Sequence, residues 1–160
     1  MHQPSIDSTQ PKPALYASVV GQLRALVEGE PDLIANLANV ASLLFHSLPD
    51  LNWVGFYLLK DSELVVGPFQ GRPACVRIAL GQGVCGTAAA RRTTVVVANV
   101  HEFPGHIACD IASNSEIVLP MLRGNELIGM LDIDSPKLGR FDAEDQAGLE
   151  EVVAELLKAI

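Results

Sequence analysis

The spacing of apolar residues changes twice along the chain, and this change is what most restricts the fold. Between residues 13 and 28 apolar residues recur every three or four positions, the period of an amphipathic helix. A second helical stripe runs from Leu33 to Phe45 and stops at Pro49-Asp50. From residue 52 the chain turns to aromatic and alternating segments typical of strands, and the helical period returns after Phe141.

Six strands and one short helix are predicted for the middle of the chain. The strands are expected at 52–60, 63–67, 75–80, 93–98, 116–122 and 126–134, and the short helix at 87–92. Turn signals at Asp61-Ser62 and Arg123-Gly124-Asn125 join the first two and the last two strands as hairpins. Residues 99–114 have no regular period, and so long a loop inside a compact domain is often functional. Asp142 is expected to cap the last helix, with Asp145 three residues later.

This order of elements predicts an α+β fold, in which helices from both ends of the chain pack on one face of an antiparallel sheet. The 160 residues suffice for one domain with one hydrophobic core, and no internal repeat divides them. We expect a single domain over residues 13–160. Residues 1–12 are rich in proline and glutamine and poor in apolar residues, so they are expected to form a flexible tail.

Charge and hydropathy exclude several functional classes. The net charge is −8, from 19 acidic and 11 scattered basic residues, which argues against binding to nucleic acid. No apolar run approaches the roughly 18–20 residues needed to span a bilayer, and the first residues lack the pattern of a signal peptide. We therefore expect a cytoplasmic protein that binds neither nucleic acid nor a membrane. In that compartment the three cysteines are expected to be thiols, ligands or redox centres rather than a permanent disulfide framework.

Three carboxylates are predicted to converge at one edge of the sheet. Alternation along the last strand places Ile128, Met130, Asp132 and Asp134 on one face. Glu116 opens the preceding strand, and the hairpin brings it opposite residues 132–134. Crowded and partly buried carboxylates favour the protonated form, so this cluster could receive an ammonium group or hold a shared proton. The alternatives are two acids at a solvated strand end before Pro136, or a metal site, although no histidine cluster accompanies them.

The three cysteines lie in different surroundings. Cys85 lies among glycines beside an alanine-rich segment and fits a buried thiol that packs as a small apolar group, whereas Cys109 lies in the polar loop. A zinc site through His106 and Cys109 is disfavoured because the chain offers no second close pair of ligands. Two thiols that meet in space could instead form a redox pair, in which one thiolate attacks and the other thiol resolves the oxidised product. Cysteine together with converging acids suits the reduction of an oxidised sulfur.

Six segments in a fixed order resemble those of the free methionine-(R)-sulfoxide reductases, which are GAF-domain enzymes. They are NWVGFYLL (52–59), GPFQGRPACVRI (67–78), GVCGTAA (83–89), FPGHIACD (103–110), SEIVLP (115–120) and IGMLDIDS (128–135). The resemblance implies a GAF fold, with a central six-stranded antiparallel sheet, helices from both chain ends on one face, and a ligand pocket on the other. It also implies reduction of free L-methionine-(R)-sulfoxide to methionine by a homodimer, with no metal or organic cofactor and with thioredoxin as the reductant.

The same resemblance implies roles for eight residues. The implied thiol roles are nucleophile for Cys109, resolving partner in a disulfide for Cys75, and an auxiliary role for Cys85. The implied substrate-binding residues are the carboxylates Glu116, Asp132 and Asp134 and, near the substrate methyl group, the aromatic residues Trp53 and Tyr57. A carboxylic acid with a raised pKa would deliver the proton that the sulfoxide oxygen needs in order to leave. Two alternative functions remain open, namely a GAF module that binds a small molecule without catalysis and a metal-binding redox sensor that uses His106 and the cysteines.

Overall fold

The computed structural model describes residues 5–160, over which the chain forms four α-helices and six β-strands. The helices are α1 (Lys12–Val27), α2 (Leu33–Ser47), α3 (Gly83–Arg91) and α4 (Ala143–Lys158). The strands are β1 (Trp53–Lys60), β2 (Glu63–Gly71), β3 (Arg77–Ala79), β4 (Val95–Val97), β5 (Ser115–Arg123) and β6 (Glu126–Ser135). A short 3₁₀ helix, Val100–Glu102, lies between β4 and β5.

The six strands of the described residues join one antiparallel sheet in the order β3-β2-β1-β6-β5-β4. Apolar side chains on one face of β1, β5 and β6 form a core with α1, α2 and α4. The opposite face carries a second apolar cluster, which includes α3. The predicted α+β fold, with helices from both chain ends on one face of the sheet, is therefore confirmed.

Several elements differ from their predicted bounds, and α3 differs most, since it begins at Gly83 rather than at Thr87. Gly83 and Gly86, which a helix beginning at Thr87 would leave outside, lie inside it. A Cβ on Gly86 would overlap the carbonyl oxygen of Ala79, because α3 passes very close to the end of β3. This glycine therefore permits a close approach of two backbones. β3 and β4 are shorter than predicted, and β2 continues to Gly71.

The alternation predicted for the last strand fails at its beginning. Leu127 packs in the cluster with α3, while Ile128 packs against the core of the terminal helices. From Met130 onward the side chains follow the prediction, with Met130 on the α3 side and Leu131 in the opposite core. The acidic end of β6 therefore faces α3.

Capping of the last helix is confirmed. The Asp142 carboxylate accepts hydrogen bonds from the backbone N–H groups of Glu144 and Asp145, and the Asp145 carboxylate accepts one from the N–H of Asp142 at 2.9 Å. Asp145 is buried and also accepts from the Tyr16 hydroxyl at 2.8 Å and from Lys12 Nζ at 2.7 Å. This carboxylate therefore ties the start of α4 to the start of α1.

The first residues described form a turn ahead of α1. The Asp7 carboxylate accepts from both the N–H and the hydroxyl of Thr9, and Ile6 packs against the core of the terminal helices. Residues 1–4 of the tail expected over 1–12 lie outside the described residues, and Lys12 is the first residue of α1. Within residues 5–160 no helix is both long and apolar enough to cross a membrane.

Candidate active site

The three carboxylates meet on the α3 face of the sheet, where β5 and β6 run side by side. In the strand register Glu116 lies opposite Asp134, and Val118 lies opposite Asp132. Glu116 is 6% exposed and Asp132 is 7% exposed, while Asp134 is half-buried. The hairpin and the two-residue period of the strands therefore hold three acidic side chains around one space.

Burial makes this cluster retain protons. Burial raises the pKa of Glu116 well above its ordinary value, and the charges of Asp132 and Asp134 raise it further. Burial also raises the pKa of Asp134, with added repulsion from Asp132 and Asp110. The pKa of Asp132 rises to about 6 through burial, although hydrogen bonding to Glu116 and Cys85 opposes the rise. The three groups interact, so they titrate as a unit, and burial favours the protonated form of each.

One oxygen of this cluster is left without a hydrogen bond. Asp132 Oδ1 is buried and has no hydrogen-bond partner among residues 5–160. A buried carboxylate oxygen in this state is costly, so the site suits a ligand that brings a hydrogen-bond donor or a positive charge.

Cys75 and Cys109, which lie 34 residues apart in the chain, form a disulfide with a Cα–Cα distance of 5.8 Å. Cys75 lies in the segment between β2 and β3, and Cys109 lies in the loop that precedes β5. Cys75 is half-buried and Cys109 is exposed. The pairing that the resemblance implies is thus present in the structure.

Cys85 lies on α3 as a buried free thiol. Its Sγ and one carboxylate oxygen each from Glu116 and Asp132 all lie within 4.8 Å of one another. Burial raises the pKa of the Cys85 thiol well above its ordinary value, and the neighbouring charges of Asp132 and Glu116 act in the same direction. A thiol that keeps its proton is a poor nucleophile.

Among the described residues, the side chains of Cys85, Glu116 and Asp132 also lie close enough together to bind one metal ion. The zinc site weighed for His106 and Cys109 lacks its thiolate here, because Cys109 is bonded to Cys75. Burial lowers the pKa of His106, which leaves the imidazole neutral near pH 7.

Trp53 and Tyr57 form an aromatic wall on the α3 side of β1. Their rings stack with centroids 6.0 Å apart, and the ring of Phe69 in β2 also stacks on Trp53, at 5.3 Å. Trp53 Nε1 donates a hydrogen bond to the carbonyl oxygen of Arg72 at 3.0 Å, and the Tyr57 hydroxyl donates to that of Cys75, also at 3.0 Å. Both polar atoms are thus used to hold the segment that carries Cys75.

A polar cluster that the sequence reasoning missed anchors the other cysteine loop. Asn52 Nδ2 donates to Asp110 Oδ2 at 3.1 Å and to Ser113 Oγ at 2.9 Å. Asp110 also accepts from the N–H of Ala112, which closes a local turn directly after Cys109. In the sequence, Asp110 two residues before Ala112 could have indicated the turn. No neighbouring residue indicates that Asn52 contacts this loop.

These elements enclose a pocket with about 550 Å³ of empty space, part of it open to solvent. Seven of the eight residues singled out from the sequence line it, namely Trp53, Tyr57, Cys85, Cys109, Glu116, Asp132 and Asp134. The eighth, Cys75, does not line the pocket but is bonded to Cys109 at its edge. The arrangement places a redox-active sulfur, an acidic cluster and an aromatic wall around one small-molecule space.

Comparison with known proteins identifies the family. Residues 35–160 match the GAF domain family. The free methionine-R-sulfoxide reductase of Escherichia coli strain K12 is 54% identical over 149 residues, which cover 93% of this chain and 90% of that protein. The chain belongs to the free methionine-R-sulfoxide reductases of the GAF-domain family. The resemblance seen in the sequence is therefore confirmed.

More distant relatives and solved structures agree with this family. The free methionine-R-sulfoxide reductase of Saccharomyces cerevisiae is 42% identical over 135 residues, covering 79% of this chain and 75% of that protein. The X-ray structure of the free methionine-R-sulfoxide reductase from Neisseria meningitidis, in complex with its substrate, superimposes with a TM-score of 0.94 at 45% identity. That match covers 99% of this chain and 95% of the other, so the family fold extends over nearly the whole molecule.

Proposed function

We propose that this protein reduces free L-methionine-(R)-sulfoxide to L-methionine, with electrons supplied by its own cysteine thiols. The observation that carries the proposal is the Cys75–Cys109 disulfide at the edge of a pocket that also holds three crowded carboxylates. A disulfide there is the product expected of one turnover. Relatives in E. coli and yeast carry the name of this activity.

In the first step the Cys109 thiolate attacks the sulfoxide sulfur, and the S–O bond of the substrate breaks. The oxygen needs a proton to leave, and the protonated members of the carboxyl cluster, in which Glu116 and Asp134 have the most strongly raised pKa values, lie on the same pocket. The released oxygen, now water, attacks Cys109 Sγ, the bond between the two sulfurs breaks, and the products are methionine, a sulfenic acid on Cys109 and a proton. The substrate sulfur is thereby reduced by two electrons and the cysteine is oxidised by two.

In the second step the Cys75 thiol attacks the Cys109 sulfenic acid, forms the disulfide and releases water. An external dithiol then reduces this disulfide by thiol–disulfide exchange, and we assign that role to thioredoxin. The exposed position of Cys109 and the exposed apolar residues beside each cysteine, Val76 at 60% and Ile111 at 88%, support access by a protein reductant.

The pocket suits both ends of the amino acid substrate. The ammonium group would bind the charged fraction of the carboxyl cluster, where Asp132 Oδ1 offers a free acceptor. The methyl group on the sulfoxide sulfur would pack against Trp53 and Tyr57. We assign no catalytic attack to Cys85; its neutral thiol beside Asp132 supports an auxiliary role.

Family membership supports the remaining assignments, which we also propose. We propose a cytoplasmic homodimer that works without a metal or organic cofactor. Residues 13–160 would form its single GAF domain.

A coupled assay with thioredoxin, thioredoxin reductase and NADPH tests the proposal on free (R)- and (S)-methionine sulfoxide and on a peptide that contains the sulfoxide. We expect NADPH oxidation with the free (R) form and little with the other two. A sensor module without catalysis would bind the ligand in calorimetry but consume no NADPH, and that result would refute the reductase proposal.

A further inference from the structure

The segment that carries Cys75 is held by hydrogen bonds from two neighbouring strands. The Tyr57 hydroxyl donates to the carbonyl oxygen of Cys75 itself, and Trp53 Nε1 donates to that of Arg72 three residues earlier. On the other side of Cys75, the N–H of Val66 donates to the carbonyl oxygen of Val76 at 2.9 Å. The backbone of Cys75 is therefore fixed at its own carbonyl and at positions on both sides.

The hydroxyl of Tyr57 has a different task from that of its ring. The ring alone forms the wall beside Trp53, for which a phenylalanine would serve equally well. The oxygen is committed to the Cys75 carbonyl. Burial, with the added charge of Asp132, raises the pKa of the Tyr57 phenol well above its ordinary value, so the hydroxyl keeps its proton and remains a donor.

The partner sulfur is held separately, from the residue that precedes β1. Asn52 fixes Asp110 and Ser113, directly after Cys109, as described above. Both cysteine segments are thus attached to residues 52–57 of one chain stretch, although neither cysteine belongs to it. The Cα atoms of the two bonded cysteines lie 5.8 Å apart between these attachments.

We infer that Tyr57 is a positioning residue for the resolving step, in which its hydroxyl holds the Cys75 backbone so that the thiol reaches the sulfenic acid on Cys109. The inference rests on the proposed function. The step it governs is the reaction of the Cys75 thiol with the Cys109 sulfenic acid to give the disulfide and water, with no other reactant. The hydroxyl acts on this step through the backbone, because its hydrogen bond is to the carbonyl oxygen of Cys75.

The test is Tyr57→Phe in a single turnover without external reductant. Methionine release is followed by rapid quenching and chromatography, and disulfide formation by mass spectrometry of the same samples under non-reducing conditions. We expect the rate of disulfide formation, divided by the rate of methionine release, to fall about tenfold, the effect of losing one well-formed hydrogen bond. Dimedone should trap more sulfenic acid on Cys109 in the variant than in the wild type.

The chain offers a matched control, since it contains two tyrosines. Tyr16→Phe removes a buried hydroxyl that donates to Asp145 at 2.8 Å, on the opposite face of the sheet. It is expected to lower the melting temperature but to leave the ratio of the two rates unchanged. Trp53→Phe releases the Arg72 end of the segment and is expected to lower the ratio as well, which keeps the test available if Tyr57→Phe fails to fold.

The outcomes separate this inference from the proposed function. A wild-type protein that releases no methionine would refute the proposed function itself. A wild type that turns over, together with a Tyr57→Phe variant that keeps the wild-type ratio and dimedone labelling, would overturn the positioning role alone. The same holds for an equal fall of the ratio in Tyr16→Phe, because the effect would then reflect general loosening of the fold.

Discussion

Glu116 lies directly opposite Asp134 across the β5–β6 pair, with Asp132 one alternation away on the same face. Two acids in facing positions of an antiparallel pair destabilise it when both are charged. The fold tolerates them because burial and mutual repulsion raise their pKa values, so protons replace the missing counter-charge. Such a cluster can donate protons beside the disulfide. This role can be tested by replacing its carboxyl groups one at a time.

Asp134→Asn is expected to lower kcat/KM for methionine sulfoxide by about 100-fold or more, the usual effect of losing a group that handles protons. The side chain is nearly isosteric with its replacement, and because burial raises its pKa in the folded state, the variant should be at least as stable as the wild type near neutral pH. The coupled assay and thermal unfolding measure the two effects. Asp61→Asn, in the exposed turn between β1 and β2, is the matched control. An unchanged kcat/KM in Asp134→Asn would remove this carboxyl from the catalytic site.

Glu116→Gln is expected to change how stability depends on pH. A raised pKa in the folded state means that the folded chain binds more protons than the unfolded chain above the ordinary pKa of 4.5, so the free energy of unfolding falls as the pH rises. Glutamine removes this contribution. Relative to the wild type, the variant should therefore gain stability as the pH rises above 4.5, by about 1.4 kcal/mol for each pKa unit of the original shift.

Asp142→Asn is expected to change the free energy of unfolding at neutral pH in the opposite direction from Glu116→Gln. Hydrogen bonds from Lys12 and from the backbone of Asp145 lower the pKa of Asp142 to about 2, so the charged form stabilises the folded chain. Its contribution is present above the unfolded pKa of 3.8 and is lost as the pH falls toward 2. Urea unfolding at several pH values should show Asp142→Asn as destabilising at pH 7, with the difference vanishing in acid. Parallel pH curves for Glu116→Gln and the wild type would contradict the protonated state of the cluster.

Cys109→Ser should abolish turnover, whereas Cys75→Ser should release about one methionine per chain and then stop, because its sulfenic acid has no resolving thiol. Methionine is counted with the thioredoxin system, under which the wild type should turn over repeatedly, and without it, under which the wild type should also stop after about one methionine per chain. Cys85→Ser serves as the comparison, since it leaves the bonded pair intact and should still form the Cys75–Cys109 disulfide. A Cys85–Cys109 bridge in the wild type would instead reverse the assignment of the resolving cysteine.

The sequence predicts the position of the acids well because their placement depends on local rules. A hairpin turn and a two-residue period bring Glu116 opposite Asp134, and both rules operate within about twenty residues. The same period fails at Ile128, because the register shifts between Met121 and Leu122 and leaves an extra residue on β6. Beyond a bulge, each side chain points to the face of the sheet opposite to the one that simple alternation predicts. No residue type in this hairpin indicates where the bulge lies.

Contacts between distant segments could not be predicted in this way. The hydrogen bond from Asn52 to Asp110 joins residues 58 positions apart, and that from Tyr57 to Cys75 joins a strand to a loop 18 positions on. Such pairs depend on the order of the strands in the sheet, in which β1 lies between β2 and β6, and hydrophobic periodicity does not encode that order. For the same reason, only the family resemblance predicts the disulfide pairing, because the spacing of three cysteines is compatible with several pairings.

Two glycine substitutions distinguish close backbone approach from ordinary helix breaking. Gly86→Ala places a Cβ against the carbonyl oxygen of Ala79 and should destabilise the protein by about 1–3 kcal/mol, because backbone atoms must shift to admit it. Gly21→Ala, inside α1, meets no atom within 4 Å and should stabilise the protein by about 0.5–1 kcal/mol through helix propensity. Urea unfolding measures both.

Because α3 also carries Cys85, Gly86→Ala should increase the reactivity of that buried thiol toward an alkylating reagent in the oxidised protein, while Gly21→Ala should not. Equal stability changes of the same sign in the two variants would show that α3 does not press on the end of β3.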